Sequence, residues 1–420
     1  MRNSTPKSTF VPLAVVFFFQ WGAVGMWNVP FSNVLKHAGM ERFIAMAFAC
    51  NAIATFISPL VVGGLADRGF SPLKLLRWLY WLSGGLLGLT FLAIDRGWGG
   101  AVMLGSMQLH ALCFSPTMSL ITAIALAKLN HPLQEFGPLR TWATFGWVAS
   151  GWIISWVLLA DASPVSGYAA AGVIFALGFA TYFLPAVPLV SAGRARNWQE
   201  YLGLDALKLL SNPNHRTILI TVTLFGIPMA AFYPYTPLHL SALGFPHPTA
   251  TMTLGQASEV VSLLLLAGLT RRIRLKWVIL GGLLFGVARY GLFAIDMRAT
   301  MLVGIALHGA CYTFYNVTAQ MYLAERVESA MKARAQALFT VLTGGVSNLF
   351  GYLGSGWIFQ LATTPAGTRW TFYWLIMGAS TVAVTLYFMR YYQGVGQGFF
   401  RGATVASANA THAQTGDAAS

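Results

Sequence analysis

Apolar runs of about 20 residues recur along nearly the whole 420-residue chain, and this repetition sets what the chain can fold into. A helix of that length, rising 1.5 Å per residue, crosses a hydrocarbon core about 30 Å thick. Within lipid every backbone polar group must be satisfied inside the segment, so the runs are read as helices. Only 9% of residues are charged and 56% are hydrophobic, against roughly 25% charged in a soluble domain. A soluble globule of this make-up would aggregate, whereas a polytopic membrane protein accommodates it.

The runs predict spans at 9–31, 43–65, 74–94, 99–127, 139–160, 167–190, 216–239, 249–270, 277–295, 299–323, 334–359 and 369–391. The expected fold class is all-α integral membrane, with twelve transmembrane helices in two pseudo-symmetric six-helix bundles. The polar stretch from Ser191 to His215 divides them. Residues 1–190 are expected to form the N-terminal bundle, 191–215 a central cytoplasmic loop and 216–392 the C-terminal bundle. Residues 393–420, rich in Ala, Ser and Thr, have too little apolar content to pack and read as a disordered cytoplasmic tail. The Asn409-Ala410-Thr411 sequon in that tail carries no meaning on the cytoplasmic side. Span one, Phe10 to Pro30, is too long for the apolar region of a signal peptide and lacks a small-residue cleavage site, so it should remain as a helix.

A net charge of +14 invites a nucleic-acid reading, but such a protein gathers its basic residues on one face of a folded domain. Here they fall in short loops between apolar runs. With the N-terminus in the cytoplasm, 20 of the 26 Lys and Arg lie inside, and only Lys36, Arg42, Arg96, Arg298 and Arg369 lie outside, with Arg289 within a span. That asymmetry follows the positive-inside rule and places both termini in the cytoplasm. Cys50, Cys113 and Cys311 lie inside apolar runs at wide spacing, which suits packing and offers neither a disulfide framework nor a metal site.

The halves echo each other. Span two ends in Gly63-Gly64-Leu65-Ala66-Asp67-Arg68 before Lys74, and its counterpart, span eight, ends in Ala267-Gly268-Leu269-Thr270-Arg271-Arg272 before Lys276. Span five opens with Phe136-Gly137-Pro138-Leu139-Arg140 and span eleven with Lys332-Ala333-Arg334-Ala335-Gln336. Repeated halves imply a solute site near the midplane between them, reached alternately from each side as the halves rock.

Glu259 is the most informative residue. It lies 12 residues before Arg271, about 18 Å above the end of span eight. An ionisable group at that depth is costly unless it faces water or a partner, and it is a functional candidate by default. Its carboxyl could take and release a proton as the cavity opens to each side; the bland reading is a carboxyl paired to another helix. Gln256, one turn away on the same face, offers a donor and an acceptor for a base edge or sugar hydroxyls, or a bond between helices. Arg140 opens span five and either extends into the cavity or stays in the interfacial loop. Arg289 lies deeper, about two turns before Asp296, and reads as a structural ion pair or a hydrogen bond to a neighbouring helix.

Spans one, four and ten carry Gln20, Asn28, Gln108, His110, His308, Asn316 and Gln320, and Trp21, Trp27, Phe114, Trp147, Tyr312 and Tyr315 add rings. Together these suit a flat, hydrogen-bonding solute; singly, each is more often helix glue or core. His308 titrates near neutral pH and could relay protons, or could rest neutral and buried. Asp67-Arg68 reads as a latch between helix ends. A Walker A sequence, an H-E-x-x-H and a Gly-rich dinucleotide loop are all missing, so an ATP-driven pump or an enzyme is not indicated, nor any cofactor or metal.

Two six-helix halves with the Gly-x-x-Ala-Asp-Arg loop resemble the major facilitator superfamily. Within it, five further stretches resemble the bacterial nucleoside:proton symporters of the nucleoside permease family. They are Ser115-Pro116-Thr117 running into Leu120-Ile121, Gly137-Pro138-Leu139-Arg140-Thr141-Trp142-Ala143-Thr144-Phe145-Gly146, Leu202-Gly203-Leu204-Asp205-Ala206, Gln256-Ala257-Ser258-Glu259 and Ala333-Arg334-Ala335-Gln336. The resemblance implies that Arg140, Thr144, Trp147, Gln256 and Glu259 line a nucleoside cavity. It also implies proton-coupled nucleoside uptake in the inner membrane, with nucleoside, protons and the bilayer as partners, no nucleic acid, and a chain acting as a monomer.

Two departures stand out. The family's span ten carries Tyr, Phe and an adjacent Asp where this chain has His308, Tyr312 and Thr313, so a second carboxylate is missing. Span seven offers Ile227-Pro228-Met229-Ala230-Ala231 in place of amide side chains. The expectation is therefore a symporter with Glu259 as proton carrier, Arg140 as its electrostatic partner or a polar ligand, and Gln256 and Thr144 as hydrogen-bonding groups. Trp147 and Tyr312 would be stacking platforms, and His308 the residue able to substitute for the missing acid. The rival is a facilitator carrier for a sugar, a sugar derivative or another small polar solute, and a membrane receptor or enzyme is a remote third.

Overall fold

The computed structural model describes residues 4–67, 70–186, 197–328 and 331–393. The first half comprises α1 (Lys7–Asn28), α2 (Phe31–His37), α3 (Ile44–Asp67), α4 (Pro72–Asp95), α5 (Gly100–Lys128), α6 (Pro132–Trp152) and α7 (Val165–Ala180). A short α8 (Trp198–Tyr201) follows, and then α9 (Pro213–Met229), α10 (Phe232–Ala242), α11 (Pro248–Arg272), α12 (Leu275–Ala294), α13 (Arg298–Tyr312), α14 (Thr318–Arg326), α15 (Lys332–Thr340), α16 (Asn348–Ala362) and α17 (Trp370–Tyr391). Wider π-helical turns at Ile153–Val157, Thr313–Val317 and Val341–Ser347 continue α6, join α13 to α14 and join α15 to α16. A two-residue ribbon, β1 (Thr363–Thr364) with β2 (Gly367–Thr368), closes the loop before α17. Arg2, Arg68, Arg194, Arg196, Arg401, the side chain of Asp67 and the tail with its sequon lie outside the described residues.

Among the described residues, ten helical stretches are long and apolar enough to cross a membrane. Two further long stretches, 132–157 and 298–326, are helical but fall outside that group. The physical reason is their cargo. Arg140, Thr144 and several tryptophans interrupt the first, and His308, Asn316 and Gln320 interrupt the second.

Several of these helices continue one another within a single membrane crossing, as α1 with α2, α9 with α10, α13 with α14 and α15 with α16. Successive crossings alternate in direction, so the ends near Thr5, Glu135, Arg272 and Tyr391 share one side, the terminal side. The turns around Asp161, His247 and Thr363 share the other, the far side. In the first half α1 packs on α6 and α7, α4 on α5 and α7, and α3 on α5. In the second, α12 packs on α13 and α17, α11 on α13, and α9 on α16 and α17. The halves meet where α3 lies on α16 and α6 on α11.

Helices in lipid gain little from burying apolar surface against one another, so close backbone approach and interhelical hydrogen bonds hold them together. Gly146 of α6 shows the first of these, because any side chain there would run into the Phe18 carbonyl of α1. Leu264, Trp357 and Phe183 face outward, as a lipid-facing surface requires. Trp27, Phe31, Phe91, Tyr290, Tyr373 and Trp374 are buried.

On the terminal side Glu135 anchors the chain start to α6. Its carboxylate accepts from the Thr5 hydroxyl at 2.6 Å, the Thr5 N–H at 2.7 Å and the His131 N–H at 2.9 Å. Those bonds, led by the Thr5 hydroxyl, hold the carboxyl down at about 2. From Asn197 onward the central loop bridges the halves, with α8 against α3 and α15 and residues 204–211 against α9 and α15. The Asp205 carboxylate lies 3.4 Å from Arg334, bringing together two of the stretches that carry the family resemblance. The three cysteines are free.

Candidate functional site

α11 supplies the centre of the site, and α13 fixes how α11 is held. Gly309 of α13 touches the α11 backbone at Ser258 and Glu259 so closely that a side chain there could not fit. The Gly309 N–H donates to the Ser258 hydroxyl at 3.0 Å, which locks the register of the two helices. Glu259 is held half-buried, and Gln256, one turn away, is 5% exposed. The Gln256 amide donates to the Tyr233 hydroxyl at 2.9 Å, and its oxygen is buried with no partner.

Across the seam, α6 presents Arg140, Thr144 and Trp147 along one face at helical spacing. Arg140 is exposed, and its charge acts on Glu259 without the two closing into an ion pair. The Tyr312 hydroxyl feels both charges. The Trp147 ring meets the Tyr233 ring edge-on at 5.7 Å. Trp147, Gln256, His308 and Tyr312 are thus linked through Tyr233 into one cluster, with Glu259 one turn from Gln256 on α11 and Arg140 and Thr144 on the same face of α6 as Trp147.

His308 is stacked on Phe232 at 4.1 Å and on Tyr312 at 6.2 Å, with Tyr233 edge-on at 6.0 Å. Its Nδ1 lies 2.6 Å from Arg289 Nη1. Arg289 is fully buried and donates also to the Tyr290 hydroxyl at 2.9 Å and to the Met229 sulfur at 3.2 Å. Of the two readings left open for Arg289, the bond to a neighbouring helix is the one formed. Asp296 pairs instead with His239 at 2.6 Å. Thr313, at the position of the family's acid, is fully buried and its hydroxyl has no partner.

At the far end the seam is tied by hydrogen bonds. The Asp161 carboxylate accepts from the Thr249 N–H at 2.7 Å and the Ser155 hydroxyl at 2.9 Å, and the Ser155 oxygen accepts from the Ala250 N–H at 2.9 Å. These satisfy free N–H groups at the start of α11, where a carboxylate also meets the positive end of the helix dipole. Trp152 donates to Thr253 at 3.3 Å, and Asn33 of α2 accepts from Ser241 at 3.1 Å. With this end closed, the exposed Arg140 is reached from the terminal side.

Other polar candidates serve as links within one half. The Gln20 oxygen accepts from Tyr80 at 2.6 Å and its amide donates to Thr117 at 3.2 Å. His110 Nδ1 lies 3.0 Å from the Ser83 hydroxyl, and Gln108 donates to the Cys50 carbonyl at 3.3 Å.

Three residues of the site carry no sequence-level signal of their role. Tyr233 enters because the chain breaks at 230–231 between α9 and α10, which turns the next residues toward α11; Pro234 and Pro237, lacking N–H groups, were the only available hint. Asp161 falls in a loop and Gly309 among many helix glycines.

The nucleoside H+ symporter profile matches residues 7–395. YegT of Escherichia coli (strain K12), named as a nucleoside transporter, is 31% identical over 404 residues, spanning 92% of this chain and 94% of the relative. The nucleoside permease NupG of the same organism is 23% identical over 400 residues, spanning 90% and 94%. The crystal structure of NupG superposes with a TM-score of 0.80 at 22% identity, covering 91% of this chain and 99% of that one.

Proposed function

The chain belongs to the nucleoside H+ symporter family, and from that premise we propose that it takes up a nucleoside together with a proton across a bacterial inner membrane by alternating access. Residues 1–190 and 216–392 are the two moving bundles, both termini and the 393–420 tail lie in the cytoplasm, and the working unit is the monomer. The observation that carries this reading is the half-buried Glu259 of α11 lying within electrostatic reach of Arg140 of α6, in the opposite half, with no ion pair formed between them.

Such an arrangement couples a proton to movement. An ionised Glu259 attracts Arg140, and the attraction strengthens as the two approach. A proton on Glu259 removes that attraction and changes which separation of the halves is favoured. The nucleoside enters the gap between α6 and α11, where Thr144, Gln256 and His308 offer hydrogen bonds and Trp147 and Tyr312 offer ring faces. In uptake the far-end ties break to admit nucleoside and proton while the terminal side is closed, and remaking those ties as the terminal side opens releases both into the cytoplasm.

The experiment is uptake of radiolabelled uridine and adenosine into proteoliposomes with an imposed pH gradient, with sugars as competitors. The expected result is accumulation of at least one nucleoside that sugars do not inhibit. Accumulation of a sugar and of no nucleoside would replace the substrate and leave the carrier.

A further inference from the structure

We propose that His308 and Gln256 form a donor and acceptor pair that reads the hydrogen-bonding edge of the nucleobase, with Arg289 acting as the positioning residue that fixes which His308 nitrogen bears the proton. This rests on the nucleoside reading above and adds to it the part of the solute that the second half recognises.

Arg289 is the first step. A guanidinium has five N–H donors and no acceptor, and it does not lose its proton in proteins. The nitrogen it meets at 2.6 Å, His308 Nδ1, must therefore be the accepting one, and the ring proton resides on Nε2. The choice is not left to thermal averaging. Arg289 is fully buried, its other terminal nitrogen is held by Tyr290 and Met229, and its guanidinium lies 4.7 Å over the Phe232 ring. The Tyr290 hydroxyl is itself held by the Pro228 carbonyl at 2.6 Å, at the break between α9 and α10.

The imidazole cannot turn away either. Phe232 covers one face at 4.1 Å, and Tyr312 stacks on it at 6.2 Å. His308 is 9% exposed, and among the described residues Nε2 has no protein partner while not being sealed. It presents one fixed N–H.

Gln256 supplies the complement. One of its two amide N–H groups is held by Tyr233, and its oxygen is buried without a partner. A buried carbonyl left unpaired costs stability unless something arrives to satisfy it. Tyr233 touches both groups, bonding Gln256 and meeting His308 edge-on at 6.0 Å, so the free acceptor and the fixed donor belong to one cluster. A solute satisfying both carries an acceptor beside an N–H, as the C=O and N3–H of uracil do. Ribose hydroxyls, which turn freely between donating and accepting, would not need a fixed tautomer.

The test uses the full-length carrier in proteoliposomes with uridine, 3-methyluridine and 5-methyluridine. Methylation at N3 removes the N–H meant for Gln256, and methylation at C5 does not. Losing one hydrogen bond of this kind weakens apparent affinity by about tenfold, so 3-methyluridine should compete about tenfold less well than the other two. In Gln256→Met that preference should vanish.

Two near-isosteric changes separate recognition from support. His308→Asn puts a carbonyl where Nδ1 was, keeping Arg289 paired, but no N–H reaches the Nε2 position; KM for uridine should rise about tenfold with thermal stability unchanged. His308→Gln restores an N–H near that position and should recover most of the KM even if stability falls. A wild-type KM in His308→Asn, or equal competition by 3-methyluridine and uridine in the unaltered protein, would overturn the proposal. No nucleoside uptake at all would instead overturn the reading it rests on.

Discussion

The far end of the seam and the level of Arg140 and Glu259, a few turns deeper, are held by different forces. At the far end Asp161, Ser155 and Trp152 bind Thr249, Ala250 and Thr253 through hydrogen bonds of 2.7 to 3.3 Å. At the site the Glu259 carboxyl and the Arg140 guanidinium lie on opposite halves within electrostatic reach, with no ion pair formed between them. Hydrogen bonds vanish within a fraction of an ångström beyond their working distance, whereas Coulomb attraction falls only as the inverse of separation. The far-end ties are therefore either made or broken, while the charge pair acts on the halves throughout their motion. A carrier needs both: a gate that opens fully, and a central group whose protonation is felt whichever side is open.

The largest effect that could break this comparison comes from the support under Glu259. Gly309→Val forces a branched side chain into the α11 backbone, and overpacking of this kind costs about 1–3 kcal/mol. The expected outcome is uptake lowered at least about fivefold, with a lowered melting temperature in detergent. Uptake and stability at wild-type level would mean that the α11 and α13 packing does not position the carboxylate.

A middle-sized effect comes from the gate. Asp161→Ala removes the cap on α11 and its seam bond to Thr249, and frees Ser155, which holds Ala250, a change worth about 1 kcal/mol or a fivefold shift in population. Maleimide labelling of Thr253→Cys from the far side should speed up about fivefold in that background, and the sign is the informative part. Slower labelling would contradict the role given to Asp161.

The smallest effect sharpens the comparison by sparing the seam. Glu135 joins Thr5 to His131 within the first half, so Glu135→Gln should leave uptake and Thr253→Cys labelling unchanged while exposing the N-terminal segment to proteolysis. Because its carboxyl is held at about 2, below the ordinary 4.5, the anchoring is complete above pH 4.5 and is lost as the pH falls toward 2. Hydrogen exchange at the Thr5 amide across that range reads it directly.

Much of the fold was legible because bilayer thickness imposes a run length that survives any substitution among apolar residues. The two helical stretches outside the apolar group, around Arg140 and His308, are the ones whose apolar content gives way to polar site residues. Glu259 was legible for the same reason in reverse, as a charge where the solvent is lipid. The partners were not. Tyr233 reaches Gln256 only because the chain breaks after α9, and Asp161 reaches Thr249 only when the halves meet. Arg289 looked equally suited to an ion pair with a carboxylate such as nearby Asp296, and the choice of His308 depends on packing around Phe232 that no spacing rule encodes.

The most direct measurement of the central claim is pH-driven accumulation by Glu259→Gln set beside its counterflow. With the lumen alkaline by one unit and one proton moved per solute, the unaltered carrier can concentrate uridine up to about tenfold. Glu259→Gln is expected to exchange uridine across the membrane but to stop at equilibrium, with no concentration. Accumulation by Glu259→Gln equal to that of the unaltered carrier would contradict the assignment of the proton to Glu259.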